Sequence, residues 1–511
     1  MAHQVLSAAL GGIDAVPVCV QIDSNPGIHA FTIVGLGDKA VQESIDRIEA
    51  AIKHSGFVSP RSKNKRFIVN LAPADLKKEG PGYDLPIAIA YLIETKQLSV
   101  TASDTMIIGE LGLDGRLSHT NGILAAAILA RDLGLSHIIV PACNAEEAAM
   151  VTGVGVIAGA TISEVVSHLR GEVPIMVTPS VTNSVTNLAP DDSFAFIRGQ
   201  QAAKRAPIVA AAGGHNALMS GTPGSGKTLL ARSLAGLLPA MTTQEVIEVA
   251  KIYSAAGLLR GSVRHLLRPF CAPHHTASPA AVVGGGTTVR PGQVSLAHRG
   301  VLFLDELPEF ARNVLEALRQ PLEDGTVSIS RASGSITLPA KFMLVGAMNP
   351  CPCGNLGDPN AICSCTATAI TKYAKRISGP LLDRMDIQVF VSREQVSTGT
   401  VKNGGPDIAT IRESIARARA RQLERLSSAG LVTNSEIGHK NVDKFCVLEP
   451  SAERLLQSVV NQKHLSLRAY HKIKKIARTI ADLEDSEYIV ERHVAEAMAL
   501  RINERIVPQA V

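Results

Sequence analysis

The chain has 511 residues, of which 46% are hydrophobic and 19% charged, with a net charge of +5. That length divides into two to four domains of ordinary size, and no apolar run approaches the ~18 residues that a membrane-spanning helix needs. The modest net charge rules out a uniformly basic polyanion binder, so any nucleic-acid surface must come from local clusters of charge. No basic segment precedes the apolar run Val5–Leu10, so no export signal is expected. Eight cysteines without such a signal point to reduced thiols and a cytoplasmic protein.

Residues 1–172 alternate short apolar runs with helical ones. Strands are predicted over Val16–Ile22, Ala30–Val34, Arg66–Leu71, Met106–Gly109 and His137–Val140, and helices over Lys39–His54, Leu85–Glu94 and Ala125–Leu133. Residues 173–190 read as an extended linker, because Pro174–Pro190 carries no charge and is rich in Pro, Ser, Thr, Val and Asn. Residues 191–390 return to strand–helix alternation suited to a parallel sheet. Residues 391–511 turn helical, over Ile411–Leu426, Ser451–Val460, Leu467–Leu483 and Glu491–Ile506. The expected fold is α/β: a mixed N-terminal domain, a parallel-sheet core and a helical C-terminal lid.

Two motifs in that core carry chemistry. Gly221-Thr222-Pro223-Gly224-Ser225-Gly226-Lys227-Thr228 is a complete P-loop. Its glycines let backbone N–H groups curl around phosphates, Lys227 reaches the β/γ-phosphates, and Thr228 can hold Mg²⁺ of an ATP complex. Val301–Leu304 is a buried-strand run that ends in Asp305, a second Mg²⁺ holder, and Glu306, which can polarise the attacking water. The surrounding residues fit an AAA+ motor. Gly199 and Gln200 are expected to frame the adenine pocket. The run Phe342–Met348 is another buried strand, ending at Asn349, which can help Asp305 and Glu306 orient water. Arg384, on a turn, is a candidate arginine finger for the γ-phosphate of a neighbouring subunit, and Arg468 could contact the same phosphates from the lid. A finger acting between subunits requires a closed ring, here a hexamer.

Charge is distributed unevenly. No Asp or Glu occurs between Glu248 and Asp305, while Lys251, Arg260, Arg264, Arg268, Arg290 and Arg299 do, with His265, His274, His275 and His298. This stretch reads as a polyanion-contacting insert, with Arg264, Arg268 and Arg290 as candidate DNA ligands. A hairpin is predicted over Thr326–Arg331 and Ile336–Leu338, with Arg331 at its turn and aimed into the pore of a closed ring. A third basic region spans 455–481 and carries Lys463, Arg468, Lys472, Lys474, Lys475 and Arg478 without an acid. Aromatic residues are 3% of the chain, so phosphate contact is expected to outweigh base stacking. Two Cys-x-Cys pairs, Cys351/Cys353 and Cys363/Cys365, flank a short loop and could supply four thiolates to one Zn²⁺.

Several longer runs resemble the ComM/YifB family of magnesium-chelatase-like AAA+ proteins over essentially the whole chain. The resemblance rests on Val34-Gly-Leu-Gly37, Asn70-Leu-Ala-Pro-Ala74, Pro269-Phe-Cys-Ala-Pro-His-His-Thr276, Gly284–Gly286, Asn349-Pro-Cys-Pro-Cys-Gly354, Ser378-Gly-Pro-Leu-Leu-Asp-Arg384 and Ala477-Arg-Thr-Ile-Ala-Asp482. It implies a hexameric ATPase that migrates branched DNA during recombination of incoming DNA, alongside recombination proteins and without sequence specificity. It also implies a Lon-protease-like fold for the N-terminal domain. Active peptidases of that type use a Ser–Lys dyad; here Gly82 and Leu124 stand at those two positions, so no peptidase activity is expected. Two other functions fit parts of the chain: the ATPase subunit of a magnesium chelatase, and a protein-remodelling AAA+ factor.

Overall fold

The computed structural model describes residues 3–62, 64–100, 104–180, 193–197, 200–259, 266–286, 289–331, 334–358, 361–392 and 407–501. The N-terminal part is built on a seven-stranded mixed sheet, in the order Ala30–Val34, Lys65–Ala72, Asp14–Pro26, His3–Gly11, Thr105–Ile107, His137–Pro141, Gly155–Gly159. Helix Lys39–His54 covers one face with Val41, Ile48, Ala51 and Ile52, and its N-terminus is capped by Asp38 Oδ1, which accepts from the Val41 N–H at 2.9 Å. Helix Asp84–Glu94 is buried almost all round, as its unbroken apolar run dictates. The strand His3–Gly11 is absent from the sequence expectation, yet it lies near the middle of the sheet. Its buried face is Val5, Ser7 and Ala9, residues too small or polar to give a clear hydrophobic alternation.

The second sheet has five parallel strands in the order Phe270–Cys271, Val301–Leu304, Met343–Met348, Ala217–Gly221, Ile387–Val391. The strands Val301–Leu304, Met343–Met348 and Ala217–Gly221 are buried at every residue, which explains their unalternating apolar sequence. The C-terminal helices Ile408–Leu426, Pro450–Gln462, Leu467–Leu483 and Glu491–Ala499 share one core with helix Lys227–Leu237, for Ile473, Ile476 and Ile480 join the same cluster as Leu230 and Leu234. Among the described residues, no helix is long and apolar enough to cross a membrane.

Within the third basic region Lys463 and Arg468 are exposed, but its second half is turned inward. Lys472 pairs with Asp386 at 2.7 Å, Arg478 with Asp482 at 3.0 Å and Lys474 with Asp443 at 2.5 Å, while Lys475 Nζ donates to the Ser435 carbonyl at 3.1 Å. Its acids come from outside the run, which is why the run read alone looks unpaired.

The two sheets are joined by direct packing. The tight turn after His3–Gly11 places Ile13 in the apolar cluster that also holds Leu338 and Val327, and Gly12 sits against Ile336. Asp14 pairs with Lys251. Helix Ile123–Asp132 packs on helix Thr243–Ala255, whose Val246 and Ala250 enter its cluster, and Ser254 Oγ donates to the buried carboxylate of Glu147. The hairpin Thr326–Arg331/Gly334–Pro339 lies beside a ribbon formed by Gly284–Gly285 and Arg290–Pro291, with Ile329 against Gly284.

Candidate nucleotide site

The P-loop follows the strand Ala217–Gly221 at its carboxyl end, the place where open parallel sheets bind ligands. Gly221 must be glycine, because a Cβ there would lie 2.2 Å from the Val391 carbonyl oxygen of the adjacent strand. Gly226 opens helix Lys227–Leu237 with φ of 89°, a left-handed conformation that aims the first helical N–H groups back into the loop. Lys227 is largely buried. Its Nζ donates to the carbonyls of Gly221 and Thr222, both at 2.8 Å, and approaches Asn349 Oδ1 at 3.4 Å. Burial lowers its pKa, and the Asp305 charge opposes that shift. Thr222 Oγ1 and Ser225 Oγ are buried with no hydrogen-bond partner among the described residues. Buried hydroxyls left so are uncommon in a finished core, and their position in the loop suits a phosphate ligand.

Thr228 Oγ1 donates to Asp305 Oδ2 at 2.9 Å, bringing together the two expected Mg²⁺ holders, one in the first turn of helix Lys227–Leu237 and the other just after the strand Val301–Leu304. Glu306 follows with a left-handed backbone (φ 51°), and its carboxylate is 3.4 Å from His275 Nδ1. His275 belongs to the Ala-Pro-His-His-Thr run, where the sequence marks only the basic character of the insert; its place next to the strand Phe270–Cys271 is what delivers it to Glu306. Gln200 Nε2 donates to the carbonyls of Ser225 and Ser392, both at 3.0 Å, so Gln200 closes one side of the loop. Its expected companion Gly199 lies outside the described residues.

Arg384 and Arg468 belong to a different place. Both line a cavity of about 1080 Å³ together with Asp383, Lys472 and Glu323, and no residue of 221–228 is part of its wall. Arg384 Nη1 donates to the Pro380 carbonyl at 2.7 Å and the guanidinium pairs with Glu323; Arg468 is 3.9 Å from Asp383. Asn216 Nδ2 donates to the Arg384 carbonyl at 3.1 Å, which fixes Arg384 at the amino end of the strand whose carboxyl end carries the P-loop. Five strand residues, about 16 Å, separate the two.

Among the described residues of the basic insert, Arg268, His298 and Arg299 are turned inward. Arg268 pairs with Glu245 at 2.9 Å and donates to the Arg299 carbonyl at 2.7 Å, while Arg299 and His298 hold Glu248 at 2.8 and 3.2 Å. Arg268 is therefore a brace and does not offer a free surface charge, contrary to its expected DNA contact. The two acids sit just before the acid-free stretch, so reading the stretch alone hides them. Arg290 is exposed on the ribbon. The hairpin backbone of Arg331 is described but its side chain is not, and Arg264 lies outside the described residues.

The four cysteines Cys351, Cys353, Cys363 and Cys365 come together, with all sulfurs within 4.8 Å of one another. The separations of 3.4, 3.6 and 3.7 Å among Cys351, Cys353 and Cys363 are far longer than a disulfide. They are close to the ~3.8 Å edge of a tetrahedron with Zn–S of about 2.3 Å. The Cys353 N–H donates to Cys365 Sγ at 3.4 Å, and backbone N–H groups of Asn355 and Ser364 bond the Cys353 sulfur.

Comparison with known proteins adds the family. The description "Magnesium chelatase, subunit ChlI" matches residues 193–399, "Subunit ChlI of Mg-chelatase" residues 20–144, and "Magnesium chelatase, subunit ChlI C-terminal" residues 405–501. The chain is 42% identical to competence protein ComM of Haemophilus influenzae over 98% of each chain. It is 39% identical to the uncharacterized protein YifB of Escherichia coli, over 98% of this chain and 96% of the relative. To the magnesium-chelatase 38 kDa subunit of Rhodobacter capsulatus it is 29% identical over 33% of this chain and 56% of the relative. The family implies ATP and Mg²⁺, which the paired Thr228 and Asp305 and the P-loop fit. With the P-loop, the two acids and a matched family along nearly its full length, this chain belongs to the magnesium-chelatase-like AAA+ ATPases of the ComM/YifB family.

Proposed function

We propose that this ATPase works as a homohexameric ring that moves branched or forked DNA, promoting branch migration when incoming DNA is recombined in the cytoplasm. The observation that carries the ring is the placement of Arg384. It sits about 16 Å, one strand length, from its own P-loop, so an arginine that acts on a γ-phosphate must act on a neighbour's. Arg468 shares its cavity and would face the same phosphates. In this reading Lys227 and the loop N–H groups hold the phosphates, Thr228 and Asp305 hold Mg²⁺, and Glu306 with Asn349 orients water. Mg²⁺ held there would neutralise charge on the phosphates.

The track is gripped by exposed Arg290 on its ribbon and by Arg331 on the adjacent hairpin, through phosphates and without sequence choice. Recombination proteins are its expected partners, and one Zn²⁺ in the four-thiolate cluster belongs to the same reading. Gly82 and Leu124 argue against a peptidase: a Cβ at Gly82 faces Thr120 and Ile108, and Leu124 is fully buried in an apolar cluster. The chelatase alternative is weaker, because full-length likeness is to a competence protein while the chelatase subunit matches a third of the chain. ATP turnover measured with forked DNA, with a chelatase partner plus porphyrin, or with unfolded protein separates these readings. Stimulation by forked DNA alone is expected; stimulation only by either of the others would overturn the DNA reading.

A further inference from the structure

The four-thiolate loop is not a remote ornament. It starts two residues after Asn349, whose side chain approaches Lys227 Nζ at 3.4 Å. Cys351 is fully buried, and its carbonyl accepts from the Gly354 N–H at 3.0 Å, which closes a tight turn. Gly354 has φ of 82° and lies flush on the P-loop: a Cβ there would fall 2.6 Å from Pro223 Cγ. Gly357, at φ of 81°, rests on the Phe390 ring, and Phe390 pairs in register with Ser220 at the end of the P-loop strand. The cysteine loop thus touches the P-loop at its crown and its neighbouring strand at its base.

The cluster has the donor set, spacing and N–H···S support of a structural zinc site. The loop between the two cysteine pairs is mostly Gly, Asn, Asp and Pro, and its Ile362 is exposed, so it has little core to hold it and a metal is what would fix the turn that carries Gly354. We propose that Cys351, Cys353, Cys363 and Cys365 bind one Zn²⁺ whose role is to brace the P-loop through the Gly354–Pro223 contact, so that zinc occupancy sets nucleotide affinity. The inference rests on the reading of residues 221–228 as the ATP site.

The test uses the full chain, with zinc measured by elemental analysis and nucleotide affinity by titration with a fluorescent ATP analogue in the absence of turnover. About one Zn²⁺ per chain is expected. Stripping it with a chelator should weaken nucleotide binding on the order of tenfold to a hundredfold, the scale of an ångström-sized misplacement, and adding Zn²⁺ back should restore it. Gly354→Ala, whose new methyl meets Pro223 and no sulfur, should keep its zinc yet bind nucleotide more weakly. A protein that contains no zinc when purified without chelator and takes up none when it is supplied overturns the metal site. Unchanged affinity after complete stripping overturns the brace. Zinc-loaded protein that binds no nucleotide overturns the ATP-site reading, and the brace with it, while the metal site stands.

Discussion

Glu306 sits at a left-handed turn, largely exposed and facing His275, while Lys227 is buried among carbonyls. These environments suit different tasks: Lys227 holds charge in place, and Glu306 is free to meet water. Lys227→Ala should abolish nucleotide binding. Glu306→Gln should leave ATP bound and lower turnover by about 10²–10⁴, the usual range for removing a general base; wild-type hydrolysis by this variant would remove Glu306 from that role. His298 supplies a second residue-scale prediction. It is buried, the Lys341 N–H donates to its Nδ1 at 3.0 Å, and Nε2 faces Glu248, so the ring is held neutral with its proton on Nε2. Burial pulls its pKa from 6.5 down to about 4 despite the Glu248 contact. The unfolded chain therefore takes up this proton first as pH falls. The stabilisation is complete above pH 6.5 and disappears on the way down to about 4, a difference of about 3 kcal/mol. Melting profiles across that window should show a flatter acid loss for His298→Gln than for the parent; identical slopes would show that His298 is not the titrating group. The P-loop, Asp305 and Glu306 were legible in the sequence because each role is tied to a local run. His275, the inward turn of Arg268 and the Gly354–Pro223 contact were not, because their partners lie on other strands or just outside the stretch that draws the eye.

Among the elements, the ribbon of Gly284–Gly285 and Arg290–Pro291 lies beside the hairpin of Thr326–Arg331 and Gly334–Pro339, with Ile329 against Gly284. Burial of Lys472, Lys474 and Arg478 in ion pairs, and the inward turn of Arg268 and Arg299, leave these two elements with the weight of the DNA reading. Removing charge at Arg290 and Arg331 should weaken binding to all sequences alike and flatten the salt dependence by roughly 0.9 for each phosphate no longer neutralised. ATP hydrolysis should continue but no longer move a strand. Normal binding and unwinding by the double variant would return both arginines to ordinary surface. The hairpin itself was readable from two alternating runs about a Ser-Gly turn. The strand His3–Gly11 was not, since its pattern of small residues carries no contrast until Asp14–Pro26 pairs with it along nine positions.

For the whole molecule, the separation of Arg384 from its own P-loop would, in the proposed ring, make hydrolysis a property of pairs of subunits. Mixing Arg384→Ala subunits with Lys227→Ala subunits in equal amounts should leave about a quarter of ring interfaces with an intact loop facing an intact finger, and restore activity in proportion. No recovery in confirmed rings would make Arg384 a structural residue. The N-terminal part enters here through one side chain. Ile13 joins the apolar cluster that holds Val327 and Leu338, at the root of the hairpin proposed to grip DNA, and burying such a residue is worth about 1.5–3 kcal/mol. Ile13→Asp should free the N-terminal part to limited proteolysis while ATP turnover survives, and should abolish coupling to DNA; resistance to protease equal to the parent would show that the plug is dispensable. A hairpin rooted this way cannot swing alone. In the proposed motor, any stroke that hydrolysis gave it would drag a seven-stranded slab along, so the N-terminal sheet would act as a flywheel on the crank, setting how far and how stiffly the tip can travel.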